Sequence, residues 1–198
     1  MLASLRHNCV RNELRIIGGN WRSRRLRFPA APGLRPTPDR VRETLFNWLR
    51  QDLEGLSCLD LYAGSGALGL EAASRGAVRV VQVEQDPEVC AAIERNCALL
   101  GANQVEVVQM DVSRFLAGTG TPFDLVFLDP PFHQGLIAPC GQLLEERGWL
   151  APRARIYLEA ESRLLLEGLP ENWQILRSKQ AGGVGYHLCE RKPPRPQE

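Results

Sequence analysis

The chain of 198 residues predicts an α/β fold: a doubly wound, Rossmann-like, mostly parallel sheet of seven strands with one antiparallel strand, preceded by a small N-terminal β-hairpin extension. Three observations carry that expectation. Short apolar runs alternate with helical patterns beyond residue 55. A glycine-rich turn follows the first of these runs. The last two strand-like runs are joined by Gly182-Gly183, which suits an antiparallel pair.

Taken in order, Arg15 to Phe28 reads as a hairpin, with apolar Ile16 and Ile17, a turn at Gly18-Gly19-Asn20, and alternation through Leu26 and Phe28. The proline-rich segment 29–38 reads as a linker. Thr37-Pro38 then supplies a cap and a first-turn proline for a helix in which Val41, Leu45, Trp48 and Leu49 form the apolar stripe. Arg40, Arg42, Glu43 and Asn47 fall off that stripe. Buried parallel strands follow at 58–62, 78–83, 105–110 and 125–128, because continuous apolar runs of this length need both faces covered. Helices are expected at 66–75, 87–100, 112–117 and 136–147. Strand-like runs at 155–158, 173–177 and 186–189 complete the sheet. The chain therefore divides into a basic hairpin and helix at 1–54, a catalytic unit at 55–191 and a disordered, proline-rich tail at 192–198.

Composition narrows the function classes. No stretch approaches the roughly 18 apolar residues of a membrane span, which points to a soluble cytoplasmic protein. The cysteines at 9, 58, 90, 97, 140 and 189 lack C-x-x-C spacing and neighbouring histidines, so reduced, packed thiols are expected and no metal. The net charge of +1 hides an asymmetry: residues 1–50 hold 11 Arg against Glu13, Asp39 and Glu43. Trp21 and Phe28 interleave these arginines. Such a block suits phosphate contacts and base stacking, and Arg22, Arg24 and Arg25 are the candidate nucleic-acid contacts.

Residues 60–69 place G-x-G-x-x-G after the first parallel strand, where glycine lets backbone approach a ligand. Alone, this pattern equally fits a dinucleotide-binding dehydrogenase. Glu84 ends the second strand, where its carboxylate can accept both hydroxyls of an adenosine ribose, and Asp111-Val112 ends the third. Asp60, ending the first strand, would repel a pyrophosphate but suits a cofactor carrying an ammonium and a sulfonium. S-adenosylmethionine is the cofactor these signs predict.

Asp129-Pro130-Pro131-Phe132 follows the fourth strand and faces the same crevice. An exocyclic NH₂ has two protons, and Asp129 with the Pro130 carbonyl offers two acceptors, while Phe132 offers a ring for the base to stack on. Holding both N–H bonds turns the amine lone pair toward the methyl donor, so catalysis is chiefly positioning. The target base must be unpaired or flipped.

On the residues 15–26, 35–47, 60–69, 83–87 and 129–132, the chain resembles the class I methyltransferases, and within them the RsmD family of bacterial 16S rRNA (guanine-N2)-methyltransferases. The resemblance implies methylation of one guanine N2 in the assembled or assembling small subunit by a monomeric enzyme. It also implies Asp60, Gly64 and Gly66 around the methionine part of the cofactor, Glu84 on the ribose, Asp111 and Val112 at the adenine, and Arg42 and Glu43 closing the pocket. An acidic first member of the Asp-Pro-Pro-Phe tetrad is shared with adenine-N6 enzymes, and leaves the base identity open. An adenine-N6 methyltransferase of DNA or RNA, a dehydrogenase, and an RNA-binding assembly factor with a vestigial cofactor site are the rival readings.

Overall fold

The computed structural model describes residues 12–31, 34, 36–161 and 168–193, so most of the predicted tail lies outside the described residues. Strands β1 (Asn12–Arg15) and β2 (Arg25–Phe28) pair antiparallel as the expected hairpin. The first strand ends earlier than the apolar pattern suggests. Ile16 is buried in phase with Leu14, but the Ile17 N–H donates to Glu71 Oε2 at 2.9 Å instead of to a strand. That contact draws the chain off the ladder, and the connection closes through a short 3₁₀ turn at Gly19–Trp21.

Helix α1 (Asp39–Trp48) begins one residue later than expected, with Pro38 at the cap position and no side-chain capping bond. Val41, Leu45 and Leu49 are buried as predicted, and Trp48 is half-buried against the Tyr186 ring at 5.5 Å. Two residues depart from the predicted stripe. Phe46 is fully buried, and Arg42 is only 1% exposed although its position lies off the apolar face. Burial of the Arg42 charge has a plain cause: Glu71, itself wholly buried, lies 3.3 Å from its Nη1. Arg42 also donates to the carbonyls of Thr37 and Arg15, tying linker, hairpin and α1 together.

The main sheet comprises β3 (Ser57–Leu61), β4 (Arg79–Glu84), β5 (Val105–Gln109), β6 (Phe123–Leu128), β7 (Leu150–Glu161), β8 (Trp173–Ala181) and β9 (Val184–Arg191). Its order is β5-β4-β3-β6-β7-β9-β8, with β9 the one strand running against the rest. Helices α2 (Ala67–Ser74), α3 (Pro87–Leu100), α4 (Val112–Leu116) and α5 (Ile137–Glu146) fill the crossovers. Every residue of α2 is buried, because it is packed between the sheet and the hairpin, where Leu14, Ile16, Leu26 and Phe28 meet Ala67 and Leu70.

The order of strands reverses between β3 and β6: from β3 the chain moves outward through β4 and β5, then returns to β6 on the other side. In an open α/β sheet this switch point opens a crevice beyond the strand carboxyl ends. Asp60, Glu84 and Asp129 all lie at those ends. Four of the described cysteines are buried and Cys97 is half-buried, all of them free thiols; burial pushes Cys90 and Cys97 up to about 11 and Cys189 up to about 12. No described helix is long and apolar enough to cross a membrane.

Candidate active site

The turn after β3 is built by conformations most residues avoid. Tyr62 has φ +62°, uncommon for an aromatic residue, and Gly64 and Gly66 follow at +53° and +74°. Gly66 caps α2 in the left-handed conformation, without a side-chain cap. Gly69 is needed for a different reason. A Cβ there would lie 2.4 Å from Gln82 Nε2, so only glycine lets the first turn of α2 close on β4.

Asp60 is 2% exposed, and its Oδ2 accepts from the Gly69 N–H at 2.9 Å and from Gln82 Nε2 at 3.0 Å. Burial pushes its carboxyl up to about 7; these two hydrogen bonds pull the other way, and the neighbouring Glu84 adds to the rise. Glu84 is half-buried, with Oε2 accepting from the Gly64 N–H at 2.9 Å and Oε1 accepting from the N–H groups of Gln85 and Asp86. Its orientation is therefore fixed by backbone before any ligand arrives. An ionised carboxylate has about four acceptor sites, so hydroxyl donors can still be received. The side chain of Leu34 lies over Gly64, where an added Cβ would meet it at 3.0 Å.

Asp111 is exposed and caps α4, with Oδ1 accepting from the Arg114 N–H at 3.0 Å and from the Ser113 hydroxyl. The Ser113 and Arg114 donors hold its carboxyl below the usual range. Val112 opens α4 with its side chain in the core. Asp129 follows β6 and is half-buried; Pro130 is buried, while Pro131 and Phe132 are exposed, Phe132 at 37%. The loop is pinned at its far side. His133, at φ +63°, donates its backbone N–H to Glu161 at the end of β7 and places Nδ1 3.2 Å from the same carboxylate.

One functional candidate escaped the sequence reading. Glu159 on β7 is buried, and its Oε1 accepts from the Tyr157 hydroxyl at 2.8 Å. Leu128 of β6 pairs with Leu158 of β7, so Asp129, the first residue past β6, is set beside Glu159 of β7. Burial holds the Asp129 carboxyl well above the usual range, and the charges of Glu159 and Asp60 push it further; burial likewise raises Glu159. An acid inside the run Ile156-Tyr157-Leu158-Glu159-Ala160 was the available signal.

The remaining predicted residues separate into two groups. Arg22, Arg24 and Arg25 lie exposed on the hairpin, with Arg25 3.6 Å from Glu13 and Arg24 near the Leu99 carbonyl. Arg42 is not among the crevice groups: its guanidinium is committed to Glu71, Asp39 and the two carbonyls already named. Glu43 is exposed.

The chemistry of the donor set fits S-adenosylmethionine. Asp60, Asp129 and Glu159 are desolvated acids, none of them ion-paired among the described residues, and a cofactor bearing sulfonium and ammonium charges supplies the missing positive charge. No group of His, Cys, Asp and Glu able to hold a metal occurs among the described residues. Sheet order, glycine turn, strand-end acids and the tetrad after β6 together define a class I, Rossmann-like methyltransferase.

Comparison with known proteins gives the particular family. The family model described as "Conserved hypothetical protein 95" matches residues 14–190. Ribosomal RNA small subunit methyltransferase D of Escherichia coli (strain K12) is 50% identical over 180 residues, covering 91% of each chain. The solved structure of yhhF from Escherichia coli superposes with a TM-score of 0.83 at 48% identity, covering 92% of this chain and 99% of that one. The T. thermophilus 16S rRNA N2 G1207 methyltransferase, solved with AdoMet and guanosine, gives 0.69 at 25% identity, over 92% of this chain and 50% of its own. The chain belongs to the RsmD family of methyltransferases.

Proposed function

We propose that this protein transfers the methyl group of S-adenosylmethionine to the exocyclic N2 of one guanine in 16S rRNA of the small ribosomal subunit, in the cytoplasm. The observation that carries this reading is the position of the Asp129 tetrad, which follows β6 beside the β3 turn and shares its crevice with Asp60 and Glu84. The names of the relatives, ribosomal RNA small subunit methyltransferase D and the 16S rRNA N2 methyltransferase, support both the substrate and the atom methylated.

Bound there, the cofactor supplies an electrophilic methyl on sulfonium. Asp60 would hold its ammonium, Glu84 its ribose hydroxyls, and the Asp111-Val112 turn its adenine. Asp129 and the Pro130 carbonyl accept hydrogen bonds from the two N–H groups of the amine, and the Phe132 ring stacks on the base. The lone pair of an aromatic amine is delocalised into the ring; gripping both N–H bonds directs it along the line of attack. The surplus proton leaves by way of Asp129, whose raised affinity for protons suits an acceptor. Arg22, Arg24 and Arg25 contact phosphates and position the subunit.

Purified protein, labelled S-adenosylmethionine and small subunits from a strain lacking the enzyme test this directly. Nucleoside analysis is expected to give N2-methylguanosine in 16S rRNA. N6-methyladenosine would transfer the assignment to the adenine reading, and subunit binding without methyl incorporation would make the protein an assembly factor.

A further inference from the structure

Glu159 is a buried acid that the mechanism above leaves idle. Its carboxyl is taken out of water, lacks an ion-pair partner among the described residues, and accepts from the Tyr157 hydroxyl at 2.8 Å. Burying a carboxylate in this way is costly unless something compensates it. Its place is specific. Phe127 and Tyr157 are paired across β6 and β7, as are Leu128 and Leu158; Glu159 therefore shares the face of Tyr157, and Asp129, one residue past β6, is close enough for the Glu159 charge to act on it. Asp60, paired with Phe127 from β3, lies on that face too. Two acceptor carboxyls thus stand side by side where the base edge must enter.

We propose that Glu159 makes the pocket read guanine: its carboxylate accepts the N1–H of the base whose 2-amino group is held by Asp129 and Pro130. This deepens the guanine-N2 reading and rests on it. Guanine carries N1–H and N2–H donors side by side on one edge, a match for two neighbouring carboxylates. Adenine presents its amine next to a bare N1 lone pair, which a carboxylate repels. The tetrad alone does not separate the two bases, because an exocyclic amine satisfies it in either. A second acceptor beside it does. The Tyr157 hydroxyl holds one carboxyl oxygen, Oε1, and so orients the group toward the base. The positive charge of the cofactor opposes the mutual repulsion of Asp129 and Glu159 and keeps both able to accept.

The probe is 2-aminopurine, which retains the 2-amino group of guanine but has no N1–H. Small subunits are reconstituted with RNA carrying either base at the target position, and kcat/KM for methyl transfer is compared. Wild type is expected to prefer guanine by on the order of a hundredfold or more, since a site built to receive an N–H rejects the analogue lacking it. Glu159→Gln is expected to lose at least about tenfold on guanine, with the guanine to 2-aminopurine ratio falling to within a few-fold, because the glutamine amide can donate to a bare N1.

An equal loss on both bases in Glu159→Gln would show a merely structural role and overturn the proposal. So would wild type methylating 2-aminopurine as fast as guanine, a result that needs no variant and stands whether or not Glu159→Gln folds. Failure of the underlying reading looks different: the nucleosides from wild type with the guanine substrate then contain no N2-methylguanosine, and the proposal falls with it.

Discussion

Arg42 Nη1 lies 3.3 Å from Glu71 Oε2, and both side chains are almost wholly shielded from water. Glu71 also accepts from the Ile17 N–H and pairs with Arg75 at 2.8 Å, so this single carboxylate joins the hairpin, α1 and α2. Removing the arginine leaves part of a buried charge uncompensated. Arg42→Ala is expected to cost about 3–5 kcal/mol. At this chain length that lowers Tm by on the order of 10 °C in calorimetry. A shift of only a degree or two would mean that water replaces the guanidinium without penalty.

In the proposed site, Asp60 links cofactor binding to pH. Its carboxyl titrates at about 7, raised chiefly by burial, and the ammonium of the cofactor favours the ionised form. Binding therefore lowers that value and releases a proton, so affinity falls as pH drops through about 7. Calorimetric titration from about pH 6 to 8 should show S-adenosylmethionine binding strengthen with pH in wild type, and a weaker, flatter response in Asp60→Asn. Parallel profiles for the two proteins would remove Asp60 from the ammonium site.

Gly69 tests the packing that places Asp60. An alanine Cβ at 2.4 Å from Gln82 Nε2 must displace that side chain, which donates to the Asp60 carboxylate. Gly69→Ala is expected to cost about 1–3 kcal/mol by overpacking. Denaturant unfolding measures that cost, and calorimetry should show cofactor affinity reduced alongside it. Unaltered stability with full affinity would show that α2 can ride away from β4.

The hairpin arginines are proposed to act through charge. Reversing Arg22, Arg24 and Arg25 to Glu should weaken subunit binding and flatten the plot of log affinity against log salt by roughly 2–3 units if all three meet phosphates, leaving cofactor affinity untouched. An unchanged slope would return them to an ordinary solvated face.

What the sequence made legible was whatever one strand or one turn determines by itself. The runs around Val81, Val126 and Ile156 have periodicity enough to place the parallel strands, and the glycine turn and Asp-Pro-Pro-Phe each sit next to a strand end in the chain itself. Contacts across the fold stayed hidden. Arg42 falls off the apolar stripe of its own helix, and only Glu71, 29 residues away, explains why it is buried. Ile17 continues an apolar pattern, yet its N–H goes to that same Glu71, which shortens β1. Glu159 becomes visible as a site residue only when β6 and β7 are laid side by side.

In the proposed mechanism, Asp129 holds the amine that receives the methyl group. Asp129→Ala, assayed with labelled S-adenosylmethionine and unmethylated small subunits, is expected to lose at least about a hundredfold in transfer, the scale of removing one preorganised polar contact, while cofactor affinity by calorimetry stays within a few-fold of wild type. Transfer at the wild-type rate in that variant would contradict the account.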